Sequence, residues 1–274
     1  TLDDDVAGFT IEETDGSTEV DESGTTDTFT IVLDAQPTND VVVLATASND
    51  ETEATVSGSI TFTSENWDTP QTVTVTGVDD DLVDGDQTYD ITISIVDTIS
   101  DDEFDGVADQ SISSTTIDDD TPGFTIEETD AATEVDESGT TDTFTIVLDA
   151  QPTSDVVLTI TSDDTGEATV PASVTFTPVN WDTAQTVTVT GADDDLVDGT
   201  ITSTITIAVD DANSDDGFDD LADQTVSVDT LDDDVAGFTI EETDAATEVD
   251  ESGSTDTFTV VLDAQPTSDV VLTI

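Results

Sequence analysis

The sequence has no lysine, no arginine, no histidine and no cysteine among its 274 residues. Each absence closes a class of function. With 69 Asp and Glu and no basic residue, the formal net charge is −69 and no side chain can form an internal salt bridge. Nucleic acid and anionic membrane surfaces both select for Lys and Arg, so neither is an expected partner. A triad base, a thiolate nucleophile, a Schiff-base lysine and a phosphate clamp are all missing. Carboxylate pairs alone could serve a glycosidase or an aspartic-type site. Such a site needs an isolated pair in a cleft, whereas the acids here recur at the tip of a repeated unit, so no enzyme is expected. Without Cys there is no disulfide scaffold and no thiolate metal site. No apolar stretch approaches the ~20 residues of a membrane span, and no membrane insertion is expected in this window.

Carboxylates at this density repel one another over the roughly 8–10 Å Debye length of ordinary salt solutions. High net charge destabilises a compact chain, so positive charge must come from outside it. Net charge of this size is also the usual signature of disorder. Against disorder stands a 34% hydrophobic content, arranged in alternating Val, Ile, Phe and Thr runs. Order in the presence of cations is therefore expected; disorder in their absence remains open.

Internal repetition dominates the chain. Gly8-Phe9-Thr10-Ile11-Glu12-Glu13 returns 115 residues later at Gly123 and 114 residues after that at Gly237. Asp27 to Asp34 returns at Asp142 to Asp149 and, nearly unchanged, at Asp256 to Asp263. Phe62 with Asn66-Trp67-Asp68 returns as Phe176 with Asn180-Trp181-Asp182. A period of this length is a whole domain rather than one turn of a solenoid. Residues 1–7 read as the tail of a preceding repeat, 8–120 as the first repeat, 121–234 as the second and 235–274 as the N-terminal part of a third. The chain is expected to continue in both directions, rather than to have its strands completed by a neighbouring molecule.

Within a unit, Phe29, Ile31 and Leu33 alternate with Thr28, Thr30 and Val32. Val73 and Val75 alternate with Thr72, Thr74 and Thr76, and Tyr89, Ile91, Ile93 and Ile95 with Thr88, Asp90, Thr92 and Ser94. This period of two sets one face on a core and the other in water. Turns are marked at Glu22-Ser23-Gly24, Gln36-Pro37-Thr38 and Asp84-Gly85-Asp86. Seven or so short strands at regular spacing predict an all-β protein of tandem Greek-key sandwiches.

Carboxylates concentrate at three places in each unit. A single Glu precedes a turn glycine at Glu22, Glu137 and Glu251. A run follows the Thr-Val-Thr-Val-Thr-Gly strand at Asp79-Asp80-Asp81 with Asp84, and at Asp193-Asp194-Asp195 with Asp198. A third lies between units, at Asp3-Asp4-Asp5, Asp118-Asp119-Asp120 and Asp232-Asp233-Asp234. Consecutive Asp residues on a turn can converge on one cation, whereas on a strand they point to opposite faces. Calcium takes six to eight oxygen ligands and suits such loops. Zinc is disfavoured without His or Cys, and magnesium sheds its waters reluctantly. Scattered acids such as Asp15, Asp97 and Asp101 read as solvated surface, and solvated acidic loops adapted to salt stay open for the clusters too.

Val20-Asp21-Glu22-Ser23-Gly24, the run from Asp79 to Asp86 and the closing Ile117-Asp118-Asp119-Asp120 resemble the Calx-β repeats of exchangers, integrin β4 and large bacterial surface proteins. The resemblance implies immunoglobulin-like sandwiches in an elongated rod, with calcium at one tip near the next domain. It implies Glu22, Asp79, Asp80, Asp84, Asp119 and Asp120 as ligands in the first repeat. In the second it implies Glu137, Asp193, Asp194, Asp198, Asp233 and Asp234, and the preceding junction adds Asp4 and Asp5. The family's acid before the middle strand has no clean match, which leaves Asp50 and Asp164 as guesses. Thr200 in place of Asp86 and Ser203 in place of Tyr89 suggest a weaker second site.

Trp67 and Trp181 read as edge packing rather than sugar platforms, with the neighbouring Asn and Asp holding a turn. The Thr ladders read as solvated strand faces rather than ice-binding surfaces. The function expected is a calcium-stiffened repeat of an extracellular, cell-surface stalk or filament. Its partners would be neighbouring repeats of the same chain and other copies in a fibre. The alternatives are an adhesive binding module of an adhesin and a calcium sensor, although a sensor needs a bistable partner element that this stretch does not supply.

Overall fold

The computed structural model describes residues 5–48, 52–130, 132–243 and 245–274. It divides into two compact units, Thr1–Thr121 and Pro122–Ile274. In the first unit the strands are β1 (Phe9–Glu13), β2 (Thr18–Asp21), β3 (Thr26–Leu33), β4 (Val41–Ala47), β5 (Ala54–Val56), β6 (Ile60–Phe62), β7 (Gln71–Gly77), β8 (Gln87–Ile95) and β9 (Gln110–Ile117). They form a four-stranded sheet in the order β1-β3-β7-β5 and a five-stranded sheet in the order β2-β9-β8-β4-β6.

The two sheets face each other because the period-2 pattern gives each one apolar side. Phe29, Ile31, Val73 and Val75 from one sheet and Val41, Val43, Ile91 and Ile93 from the other join a single buried cluster. Each of these side chains is at most 1% exposed, and a fully buried Val, Ile or Phe contributes roughly 1.5–3 kcal/mol.

The division of the first hairpin arm into β1 and β2 was not expected from the sequence. β1 pairs antiparallel with β3, from Phe9 opposite Leu33 to Glu13 opposite Phe29. After a turn at Gly16, whose φ is +85°, the chain crosses to the other sheet. There β2 runs parallel to β9, with Thr18 opposite Ser114 and Asp21 opposite Ile117.

The second unit repeats this plan with β10 (Phe124–Glu128), β11 (Thr133–Asp136), β12 (Thr141–Leu148), β13 (Val156–Ser162), β14 (Ala168–Thr169), β15 (Ser173–Phe176), β16 (Gln185–Gly191), β17 (Ile201–Val209) and β18 (Gln224–Leu231). Its sheets run β10-β12-β16-β14 and β11-β18-β17-β13-β15, so the strand order is that of the first unit. The third copy adds β19 (Phe238–Glu242) paired with β20 (Phe258–Leu262).

The Trp67 turn is held by Asn66. The Asn66 carboxamide oxygen accepts from Thr63 N–H (2.5 Å) and Thr63 Oγ1 (3.0 Å), and Trp67 packs against the core cluster. Asp101, by contrast, is not a solvated surface acid. It is 3% exposed and accepts from Thr38 N–H, Thr38 Oγ1 and Asn39 N–H at 2.6–2.8 Å and from Glu103 N–H at 3.1 Å. The Asn39 amide leads the donors that hold its carboxyl below the ordinary range. Asp215 makes the equivalent staple in the second unit, accepting from Thr153, Ser154 and Gly217.

Candidate metal centre

The acidic tip is assembled by three loops at the end of the sandwich where β2, β7 and β9 finish. The first is the turn after β2. Asp21 Oδ1 accepts from Ser23 N–H (2.9 Å), and Gly24 N–H donates to Asp21 O (3.1 Å) with Gly24 at φ +88°. The tight turn lets Glu22 N–H donate to Ile117 O (3.2 Å) and leaves Glu22 only 1% exposed.

The second loop leaves β7 at Gly77, whose backbone lies against β2. A Cβ at this position would meet Asp21 O at 2.0 Å, so only glycine lets the two strands approach and brings the Asp79–Asp84 loop beside Glu22. The third loop leaves β9 and is clipped to the second by Asp118. That carboxylate accepts from Gly85 N–H (2.7 Å) through one oxygen and from Asp120 N–H (2.8 Å) through the other. Asp232 repeats the clip on Gly199 (2.7 Å) and Asp234 (2.8 Å).

These loops bring carboxylate oxygens of Glu22, Asp80 and Asp120 within 4.8 Å of one another. In the second unit they do the same for Glu137, Asp194 and Asp234, and also for Glu167, Asp194 and Asp198. Asp194 therefore belongs to two overlapping groups. Its Oδ1 is fixed by Leu196 N–H (2.6 Å), as Asp80 Oδ1 is by Leu82 N–H (2.8 Å).

Several of the oxygens are buried without a hydrogen-bond donor. They are Glu22 Oε2, Asp84 Oδ1, Asp120 Oδ2, both Glu137 carboxylate oxygens, Glu167 Oε2 and Asp234 Oδ2. Glu137 is 0% exposed. A buried carboxylate without a partner is costly, and buried charges are ordinarily paired or coordinate a metal. In a chain with no basic residue the pairing group cannot be a side chain. Burial, followed by repulsion from Asp80, pushes Glu22 up to about 8. Burial, followed by repulsion from Asp194, pushes Glu137 up to about 7. Burial, with Asp118 next, pushes Asp120 up to about 6.

Of the residues expected as ligands, Glu22, Asp80, Asp120, Glu137, Asp194, Asp198 and Asp234 come together in these groups. Asp84 contributes an unpartnered buried oxygen, and its carboxyl is raised by burial and then by Asp80. Asp79, Asp119, Asp193 and Asp233 are not members of the groups among the described residues. Asp119 lies instead near Asp21 and Asp79, whose charges add to desolvation in raising it. Asp5 is exposed and also outside the groups, while Asp4 and Asp50 lie outside the described residues.

Asp164 is a local turn residue, its Oδ1 accepting from Gly166 N–H (2.9 Å). The acid that enters the site before the middle strand is Glu167, 6% exposed, with Glu53 as its counterpart. The signal was present in the identical Glu53-Ala54-Thr55-Val56 and Glu167-Ala168-Thr169-Val170 segments. The replacements at Thr200 and Ser203 do not disperse the second cluster, although Ser203 Oγ is left buried without a partner.

The donor set is all oxygen, anionic, and carried by loops. This fits a hard divalent cation of the calcium class, with backbone carbonyls or water completing six to eight ligands. Glu22, Asp80, Asp84 and Asp120 would hold it in the first unit, and Glu137, Glu167, Asp194, Asp198 and Asp234 in the second.

No protein-family model and no curated protein matches the chain. Solved structures are similar to it only at low identity and low structural overlap. Calcium binding domain CBD12 of CALX1.1 is 15% identical over 73% of this chain and 80% of its own, with a TM-score of 0.31. Domains 4 and 5 of the S-layer protein SbsC are 18% identical over 69% and 76%, with a TM-score of 0.32. A protein of unknown function from Porphyromonas gingivalis W83 is 8% identical over 81% and 99%, with a TM-score of 0.28. Likenesses at this level do not bear on function, which rests on the site.

The raised carboxyls set the sign of a pH effect. Without a cation, folded Glu22 and Glu137 keep protons up to about 8 and about 7, against an ordinary value of 4.5. Between these limits the folded chain binds more protons than the unfolded one, so stability falls as pH rises through the window and is greatest below it. Calorimetry in chelator is expected to show the melting temperature dropping from pH 5 to pH 8. A rise across that interval would contradict the site as described.

Proposed function

We propose that the chain is a calcium-binding β-sandwich repeat that acts as a structural spacer in an extracellular stalk or filament. The observation that carries this reading is Glu137, wholly buried with both carboxylate oxygens unpartnered and facing Asp194 and Asp234. A resident cation turns this from a destabilising arrangement into a cross-link between three loops. The equivalent residues of the first unit, Glu22, Asp80 and Asp120, support the same role for each copy.

Acidic loop sites of extracellular modules work at about 10⁻⁴–10⁻³ M calcium, which suits a protein outside the cell. No helix among the described residues is long and apolar enough to cross a membrane. Near-identical copies suit an element that sets length rather than one shaped to read a ligand. The proposed role is non-catalytic, in keeping with a sequence that has no His, Cys, Lys or Arg.

Small-angle scattering of the chain in calcium, and then in excess chelator at matched ionic strength, tests the reading. A single well-defined maximum dimension in calcium that broadens in chelator is the expected result. Identical profiles in the two buffers would remove the stiffening role.

A further inference from the structure

The cation loop of the second unit is also the segment that meets the third copy. Gln265 N–H donates to Asp195 O (2.6 Å), and Val197 N–H donates to Gln265 O (3.2 Å). Together these make a parallel bridge between Leu196 and Gln265. Val197 also lines an apolar cavity with Phe238, Leu262, Ala264 and Pro266 of the third copy.

Along the loop the two jobs alternate. Asp194 and Asp198 present carboxylates to the cluster, while Asp195 and Val197 between them present backbone groups to Gln265. Leu196 N–H, in the middle, holds the Asp194 carboxylate. The backbone torsions that aim Asp194 and Asp198 therefore also decide whether the bridge to Gln265 can form.

The partner turn recurs as Gln36-Pro37-Thr38, Gln151-Pro152-Thr153 and Gln265-Pro266-Thr267. In the first two copies the Gln side chain is tied to its own domain, donating to Ser64 O (2.8 Å) and Pro178 O (2.9 Å). In those two copies the side chain positions the turn, whereas at Gln265 it is the backbone N–H and C=O that meet the cation loop.

We propose that the Gln265-Pro266-Thr267 turn of the third copy is a docking surface for the Asp193–Asp198 cation loop, and that docking and calcium binding are thermodynamically linked. The inference rests on the calcium reading above and adds a partner to it. If calcium orders the Asp193–Asp198 loop in its docked form, calcium must tighten the bridge, and the bridge must tighten calcium by the same factor.

The test uses the whole chain and two built-in reporters. Gly85 and Gly199 N–H donate to Asp118 and Asp232, so their amide resonances follow each site separately during a calcium titration. Gln265→Pro removes the donor to Asp195 O, whereas Gln265→Ala keeps the backbone intact. Gln265 is exposed, so neither change disturbs a core.

Gln265→Pro is expected to weaken binding at Gly199 by about tenfold, within the usual 5–150-fold range of coupling. Gly85 should be unmoved, and Gln265→Ala should match the parent. In the unsubstituted chain, the Gln265 amide should exchange about tenfold more slowly in calcium than in chelator. Unchanged Gly199 midpoints and unchanged Gln265 exchange, with both glycines still responding to calcium, would overturn the docking link alone. Silence of both glycines on calcium addition would overturn the calcium reading and the inference with it.

Discussion

Calcium at about a thousand times its dissociation constant is expected to raise the melting temperature of the chain by about 15–30 °C over the chelated form. A site filled to that degree adds about 4.1 kcal/mol to a domain that binds only when folded. For a domain of this size, 1 kcal/mol moves the midpoint by about 4–8 °C. The effect is large because the cation removes a penalty as well as forming bonds. Glu22 and Glu137 are buried beside other carboxylates, and nothing else in the chain can neutralise them. Screening alone acts on every surface acid and depends on ionic strength, not on the identity of the ion. Calorimetry in calcium, in magnesium and in sodium chloride of equal ionic strength separates the two causes. Equal midpoints in all three would leave only screening and would remove the specific site.

Glu137→Gln is expected to act in opposite directions in the two conditions. In chelator at pH 8, where Glu137 has lost its proton, it replaces a buried, repelled carboxylate by a neutral group of the same shape, so the second unit should melt several degrees higher. In calcium it removes an anionic ligand, and affinity at the second unit should fall on the order of 100-fold, since charge count is what tunes such sites. The first unit, with its own Glu22, Asp80 and Asp120, should keep its affinity. A purely structural glutamate would give destabilisation in both buffers. The reversal of sign is what marks a ligand.

The strands were legible because burial of one sheet face imprints a period of two on residues such as Phe29, Ile31 and Leu33. What was not legible is the transfer of the chain between sheets after Gly16. Whether Val20 lies beside β3 or beside β9 is settled by distant hydrogen bonds and leaves the local alternation unchanged.

The site divides in the same way. Recurrence pointed to the loops, but the member of each adjacent acid pair that turns inward is set by the backbone. Asp118 clips both Gly85 and Asp120, and Asp120 is the neighbour brought to Glu22 while Asp119 stays outside. Glu53 lies in an acid-rich stretch, Asp50-Glu51-Thr52-Glu53, where nothing in the local sequence distinguishes it from its neighbours. Its position follows from the pairing of Ala54 with Gly77, which no local pattern announces. Asp101 looked like one more surface acid because its donors, Thr38 and Asn39, lie more than sixty residues away.

The parallel pairing of β2 with β9 has a mechanical consequence. These strands lie toward the two ends of a repeat and run in the same direction, from Thr18 beside Ser114 to Asp21 beside Ile117. A pull on the two ends slides one strand along the other, so the bonds between them carry the load together instead of opening one at a time. The acidic cluster sits where that pair ends, at Glu22 and Asp120. A cation held there would act as a rivet at the end of the sheared seam, and tensile strength would then follow the calcium concentration of the surroundings.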